Sequence, residues 1–133
     1  MKAGKIVLAT SANDIVSGRM ICPVNDSLTI MFGTSGSSLK SDQIKQNKHV
    51  ALVCEELQIQ AIAEFCGHPS EHPDYMEKNE TKYPWMKSEF PPDPNDGGVL
   101  VVCHPQKISW YKFIDGKPHW DVLEVDSTKA YRM

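Results

Sequence analysis

The sequence lacks any long hydrophobic run. No stretch approaches the roughly 18 apolar residues that a membrane-spanning helix requires. The opening Met1-Lys2-Ala3-Gly4-Lys5 leads into only a short apolar stretch before Thr10 and Ser11, too short for the apolar segment of a secretory leader. These features predict a cytoplasmic chain with no membrane partner. A strong excess of charge of one sign is also lacking, with 14 basic against 17 acidic residues and a net charge of -3. The most basic stretch, Lys40 to Lys48, is interrupted by Asp42, so the clustered basic face of a nucleic-acid binder is missing. Cysteine is sparse: Cys22, Cys54, Cys66 and Cys103 form no C-x-x-C pair. Their default is four free thiols, mostly in strand-like apolar contexts. Cys66, His68, His72, Cys103 and His104 invite a zinc reading, but the spacing does not supply a tetrahedral set. The pattern G-x-x-x-x-G-K-[ST] is absent, which removes support for a kinase or ATPase. No internal repeat or low-complexity segment is present.

What the sequence does contain is one core's worth of apolar residues. At 133 residues and 41% hydrophobic, it predicts a single domain spanning residues 1–133. Short apolar or alternating runs predict strands at Lys5–Thr10, about Ser17–Val24, and Leu28–Phe32, with turns at Ser11–Asp14 and Asn25–Ser27. Pro23 marks the end of the second strand or an edge position. Further strands are expected at Val50–Cys54 and Gln58–Phe65, joined by Glu55-Glu56. Others are expected at Val99–Cys103 and Ile108–Ile114, the latter running into an Asp115-Gly116 turn. Trp120–Val125 reads as extended, and the tail from Asp126 is not legible from pattern. Leu39 to Asn47 has helical spacing with Ser38 as N-cap. The proline-rich stretch from Cys66 to Gly98 is too long for one bare loop, so a helix is placed at Asp74–Trp85 and a loop at Pro91–Gly98. The sum is mainly β, about seven short strands with two helices, which is a barrel or a sandwich.

The segment richest in chemistry is Phe32-Gly33-Thr34-Ser35-Gly36-Ser37-Ser38-Leu39-Lys40, which leaves a strand and enters a helix. Glycine permits close backbone approach, and hydroxyls and N–H groups donate. A helix N-terminus favours an anion, and lysine is a point-charge phosphate ligand. The same composition also describes an ordinary capped turn. Arg19, in Ser17-Gly18-Arg19-Met20, sits mid-strand among apolar residues. There it must point to solvent, pair, or meet a ligand anion.

Taken in order, several segments resemble the FMN-binding split-barrel superfamily, the group of pyridoxamine 5'-phosphate oxidase, and in particular its small general-stress-protein-type members. Leu8-Ala9-Thr10 matches a first strand ending in A-T. Arg19-Met20-Ile21 matches a second strand along the flavin, and Thr34, Ser38 and Lys40 match a T-x-x-x-S-x-K segment. Asn47 to Val53 matches the following turn and strand, and Val99–His104 with Pro105 to Trp110 matches the later strand and its T-P-x-x-I and aromatic pattern. Two departures accompany these matches. The family's helix before the first strand has no counterpart here, and Ala63-Glu64 stand at the family's glycine-like turn after the Gln60 strand.

The resemblance implies a six- to seven-stranded antiparallel split barrel that forms a homodimer with FMN at the interface. It implies that Thr34, Ser35, Ser38 and Lys40 hold the phosphate. Arg19, Met20 and Ile21 would lie along the ring, Gln60 would come from the facing subunit, and Trp110, with Trp85 or Trp120, would cover a ring face. The expected activity is an oxidoreductase acting on a small molecule, with no catalytic side chain nominated. The alternatives are a non-enzymatic, stress-related flavin or ligand binder, or a deazaflavin- or haem-binding split barrel.

Overall fold

The structure is a computed structural model that describes residues 4–86 and 93–133. Nine strands form one antiparallel sheet among the described residues: β1 (Ile6–Ala12), β2 (Ile15–Ile21), β3 (Val24–Asp26), β4 (Thr29–Ser35), β5 (His49–Cys54), β6 (Leu57–Phe65), β7 (Gly98–Ile114), β8 (Lys117–Glu124) and β9 (Lys129–Arg132). Two helices, α1 (Leu39–Gln46) and α2 (Pro73–Lys82), interrupt them, with a single 3-10 turn at Pro69–Glu71. Among the described residues no helix is long and apolar enough to cross a membrane. This is the mainly-β, split-barrel-like architecture that the resemblance implies, with nine strands where six or seven were expected.

The sheet runs β2-β1-β5-β6-β7-β4-β3, with β8 and β9 continuing from β7. It curls around one core. Ile6 and Leu8 of β1, Ile21 of β2, Phe32 of β4, Leu52 of β5, Val101 of β7 and Ile44 of α1 belong to one buried cluster. The sheet does not close, so β2 and β3 remain as its two ends.

Local chemistry explains the boundaries. Asn13 and Asp14 both have positive φ (53° and 63°), the two-residue hairpin conformation that Asn and Asp tolerate. This tight turn starts β2 at Ile15, two residues earlier than the pattern indicated. The expected second strand ends at Ile21, and Val24 begins β3 beyond Pro23. Asn25 and Asp26, expected in a turn, are strand residues, and the turn lies at Ser27 (φ 54°) and Leu28. β4 continues through Gly33, Thr34 and Ser35, which were expected in a loop, because Leu100, Val99 and Gly98 of β7 supply their ladder partners.

The strands expected at Val99–Cys103 and Ile108–Ile114 are a single 17-residue strand, β7. The register against β6 shifts between Gln60 and Ala61, which pair with Lys107 and Pro105 and leave Gln106 without an opposite residue. A bulge there lets the chain pass a proline, which has no ladder N–H to give. One edge of β7 holds β6, and the other holds β4 first and β8 later. The illegible tail forms β9 against β8. The helix expected to reach Trp85 stops at Lys82, where the buried Tyr83 turns its hydroxyl to the Gly4 and Pro23 carbonyls. Of the loop expected at Pro91–Gly98, Pro91 and Pro92 lie outside the described residues.

Candidate functional site

β2, at one end of the sheet, and β4, next to last at the other, line a common seam. A pocket of about 290 Å³ opens there. Met20, Ile21 and Cys22 form one wall, Gly33 and Thr34 the other, and Lys40 enters from the first turn of α1. Tyr75 and Asn79 of α2, with Trp85 and Met86 after it, close the far side. Gly33 permits this closure. A Cβ there would stand 3.1 Å from the Tyr75 hydroxyl and 3.4 Å from Pro69 Cγ. Burial pushes the Tyr75 phenol up from its ordinary value, and the nearby Gly33 backbone opposes that shift.

The turn from β4 into α1 is rigid. Ser38 caps α1, its hydroxyl accepting from the Ser41 N–H at 3.2 Å and donating to Ser41 Oγ at 2.9 Å. Ser41 Oγ, fully buried, donates to the Ser35 carbonyl at 2.7 Å. Thr34 Oγ1 lies 3.5 Å from Ser38 Oγ, so these two hydroxyls point into the same space. The loop is held from outside by the Gly36 N–H on the Gly97 carbonyl (2.9 Å) and by Lys45 Nζ on the Gly36 carbonyl (3.0 Å). Ser35 is exposed and bonds Ser37.

Arg19 neither points freely to solvent nor pairs with an acid. Its register partner is the core residue Leu8, so it stands on the inward face of the edge strand, half-buried. Its Nη1 donates to the Leu8 carbonyl (3.1 Å) and to Thr10 Oγ1 (2.8 Å). Burial lowers its pKa. Lys40 is lowered from the usual lysine value of 10.5, first by burial and then by the positive charge of Arg19. Neither cation makes an ion pair with a carboxylate among the described residues. Among the described residues these are two neighbouring positive charges without a carboxylate counter-charge, an arrangement that favours a nearby anion.

The remaining expected residues are distributed differently. Ile21 buries its side chain in the core, so only its backbone faces the pocket. Met20 is 55% exposed on the other face of β2. Gln60 lines a separate open groove of about 500 Å³ with Lys107, His49 and Val16, which shares no residue with the seam pocket. Trp110 and Trp120 sit on the β7–β8 hairpin, Trp110 beneath Lys112 Nζ at 5.1 Å and Trp120 against Tyr111 at 4.9 Å. Of the three tryptophans, Trp85 alone reaches the seam. The histidines are engaged locally. His68 Nδ1 accepts the Ser70 N–H, capping the 3-10 turn, while Nε2 meets Asp96 at 2.8 Å, and His104 contacts Glu64 at 3.2 Å. All four cysteines are free.

The sequence reading did not single out Tyr75, Asn79 and Met86, which meet the pocket through α2, or Gln43, which is 4% exposed and bonds Thr10 from α1. The 33-residue separation of Thr10 and Gln43 leaves no local signal for their pairing.

The sequence matches no protein-family model and no curated protein. Solved structures do match. A pyridoxamine 5'-phosphate oxidase-related, FMN-binding protein of Nostoc punctiforme aligns with a TM-score of 0.66 at 14% identity, covering 98% of this chain and 85% of that one. General Stress Protein 26 of Bacillus anthracis aligns at 0.61 and 14% identity, covering 97% and 88%. The fold is that of pyridoxamine 5'-phosphate oxidase-like proteins. An F420 reductase shares it at a TM-score of 0.59 and 20% identity, covering 79% of this chain and 88% of that one. At these identities the likeness is one of fold.

Proposed function

We propose that this chain is a flavoprotein that binds FMN in the seam between β2 and β4 and acts as an oxidoreductase on a small molecule. The observation that carries the reading is the pair of Arg19 and Lys40, neither ion-paired with a carboxylate among the described residues: Lys40 and Thr34 line the seam pocket, and Arg19 and Ser38 adjoin them without lining it. A phosphate monoester carries between one and a half and two negative charges at neutral pH and three acceptor oxygens, which the two cations and the Thr34 hydroxyl can meet. Lys40 and Thr34 would hold the phosphate and Arg19 would complete its charge, while Ser38, whose proton goes to Ser41 Oγ in this structure, would join them by turning that proton to the ligand. The backbone of Met20 and Ile21, on an edge strand that pairs only with β1 among the described strands, offers groups to a flat polar ring. Bound flavin supplies the electron chemistry; the protein's part is to bind, orient and shield it. The FMN-binding and F420-reductase descriptions of the similar structures support a flavin-type ligand. FMN is favoured over a deazaflavin with an anionic tail because Lys40 is the one cation of the phosphate segment in the pocket lining, which suits a single phosphate.

The seam pocket, at about 290 Å³, is at the small end of ligand sites, which run to roughly 1,000 Å³. A second copy of the chain would supply the missing wall. Ile15, Val16 and Met20 of β2 are exposed at 63%, 75% and 55%. Val16 leads from that strand into the Gln60 groove, so Gln60 would reach a flavin from the facing subunit of a homodimer.

The test is an absorbance spectrum of the purified protein titrated with FMN, beside Lys40→Ala. Visible flavin bands retained by the wild type through gel filtration and weakened in the variant are expected. Failure of the wild type to retain FMN overturns the reading. Turnover with a nicotinamide donor and a small acceptor separates an enzyme from a flavin store or sensor.

A further inference from the structure

The network behind Arg19 has a fixed polarity that can be read link by link. Gln43 is 4% exposed, and its Nε2 donates to the Ile15 carbonyl at 3.3 Å and toward Ser17 Oγ at 3.3 Å. A carbonyl can only accept, so the amide orientation is set and Oε1 must face Thr10. Thr10, 2% exposed, therefore donates its single hydroxyl proton to Gln43 Oε1. That leaves a Thr10 Oγ1 lone pair for Arg19, which can only donate. The chain Ile15–Gln43–Thr10–Arg19 thus has one arrangement of protons. It joins β2, α1 and β1, and Gln43 lies one helical turn beyond Lys40.

From this we infer that Thr10 and Gln43 are positioning residues that fix the Arg19 guanidinium beside Lys40, so that a phosphate meets two cations whose geometry is set before it arrives. A free arginine would lose its side-chain freedom on binding, and here that ordering is already made by buried partners. The inference rests on the flavin reading for the identity of the phosphate carrier, but the clamp itself concerns the phosphate alone.

The experiment compares FMN with riboflavin, which lacks the phosphate, by fluorescence titration of wild type, Thr10→Val and Thr10→Ser. Valine keeps the shape and removes the acceptor; serine keeps the acceptor. The expected result is that Thr10→Val lowers the FMN-over-riboflavin preference about tenfold, as loss of one well-set charge-assisted contact predicts. Riboflavin affinity should be unchanged, and Thr10→Ser should retain the wild-type preference. Equal weakening of both ligands, which a merely structural network would give, overturns the inference, as does an unchanged preference. Absence of FMN binding by wild type overturns the flavin reading instead. The clamp is then read with inorganic phosphate, whose thermal stabilisation should be larger for wild type than for Thr10→Val; an equal response overturns it.

Discussion

The state of Lys40 sets a pH dependence for ligand binding that follows from the structure. In the free protein its pKa lies below the ordinary 10.5, from burial first and from Arg19 second. A bound phosphate dianion would raise it again, because an opposite charge favours the ammonium form. Affinity for FMN should therefore begin to fall as pH rises through the lowered value of the free protein. It should level off only above the raised value of the complex. At the acid end the phosphate takes up a proton near pH 6, which weakens the same contact. The profile is a bell whose upper limb begins below the range of an ordinary lysine. A charge-assisted hydrogen bond contributes about 1.5–3 kcal/mol, so the full height of the upper limb is roughly ten- to hundredfold in Kd. Fluorescence titration of FMN from pH 5 to 11 measures it, with riboflavin as control for ionisation of the ring itself. Lys40→Arg keeps its charge throughout and should lose the upper limb. An upper limb that persists in Lys40→Arg, or one that riboflavin shows to the same extent, refutes the assignment of Lys40 to the phosphate.

Two further outcomes follow from the packing. Lys40→Met should stabilise the ligand-free protein at pH 7, because the fold disfavours the charged amine. With the group only half-buried the gain is at most about 1 kcal/mol, and it should shrink as pH rises toward 10.5, where the wild-type amine loses its charge. Thermal unfolding at pH 7 and pH 10 checks the sign; a variant less stable than wild type at pH 7 contradicts it. Phe32→Ala, at a side chain 1% exposed in the main core cluster, should cost about 3–5 kcal/mol by denaturant unfolding. A cost under about 1 kcal/mol would mean that β4 is not packed as described.

The parts of this fold legible in the sequence are those whose causes are local. Ser38 could be read as an N-cap because capping is a contact within three residues, β1 because a short apolar run bounded by polar residues is a local signal, and β6 because alternation is a property of one strand against one core. What was not legible depends on a distant partner. Pro105 reads locally as an interruption, yet β7 passes through it because β6 shifts register opposite Gln106. Thr34 and Ser35 read as loop, yet β7 makes them strand.

The candidate site shows the same division. Thr34, Ser38 and Lys40 lie within seven residues, and their convergence could be anticipated from the turn they share. Arg19 was ambiguous in the sequence because an arginine between apolar residues has three outlets. Its actual one, Thr10 and the Leu8 carbonyl, is set by the β1–β2 register. The wall made by Tyr75, Asn79 and Met86 could not be anticipated at all, since it depends on α2 folding back across the open ends of a sheet that does not close. That openness also accounts for the site's place. A closed barrel would satisfy the edge of β2 with another strand. Here β2 keeps a free edge among the described strands, and the proposed ligand site lies beside it, with Lys40 and Thr34 in the pocket lining.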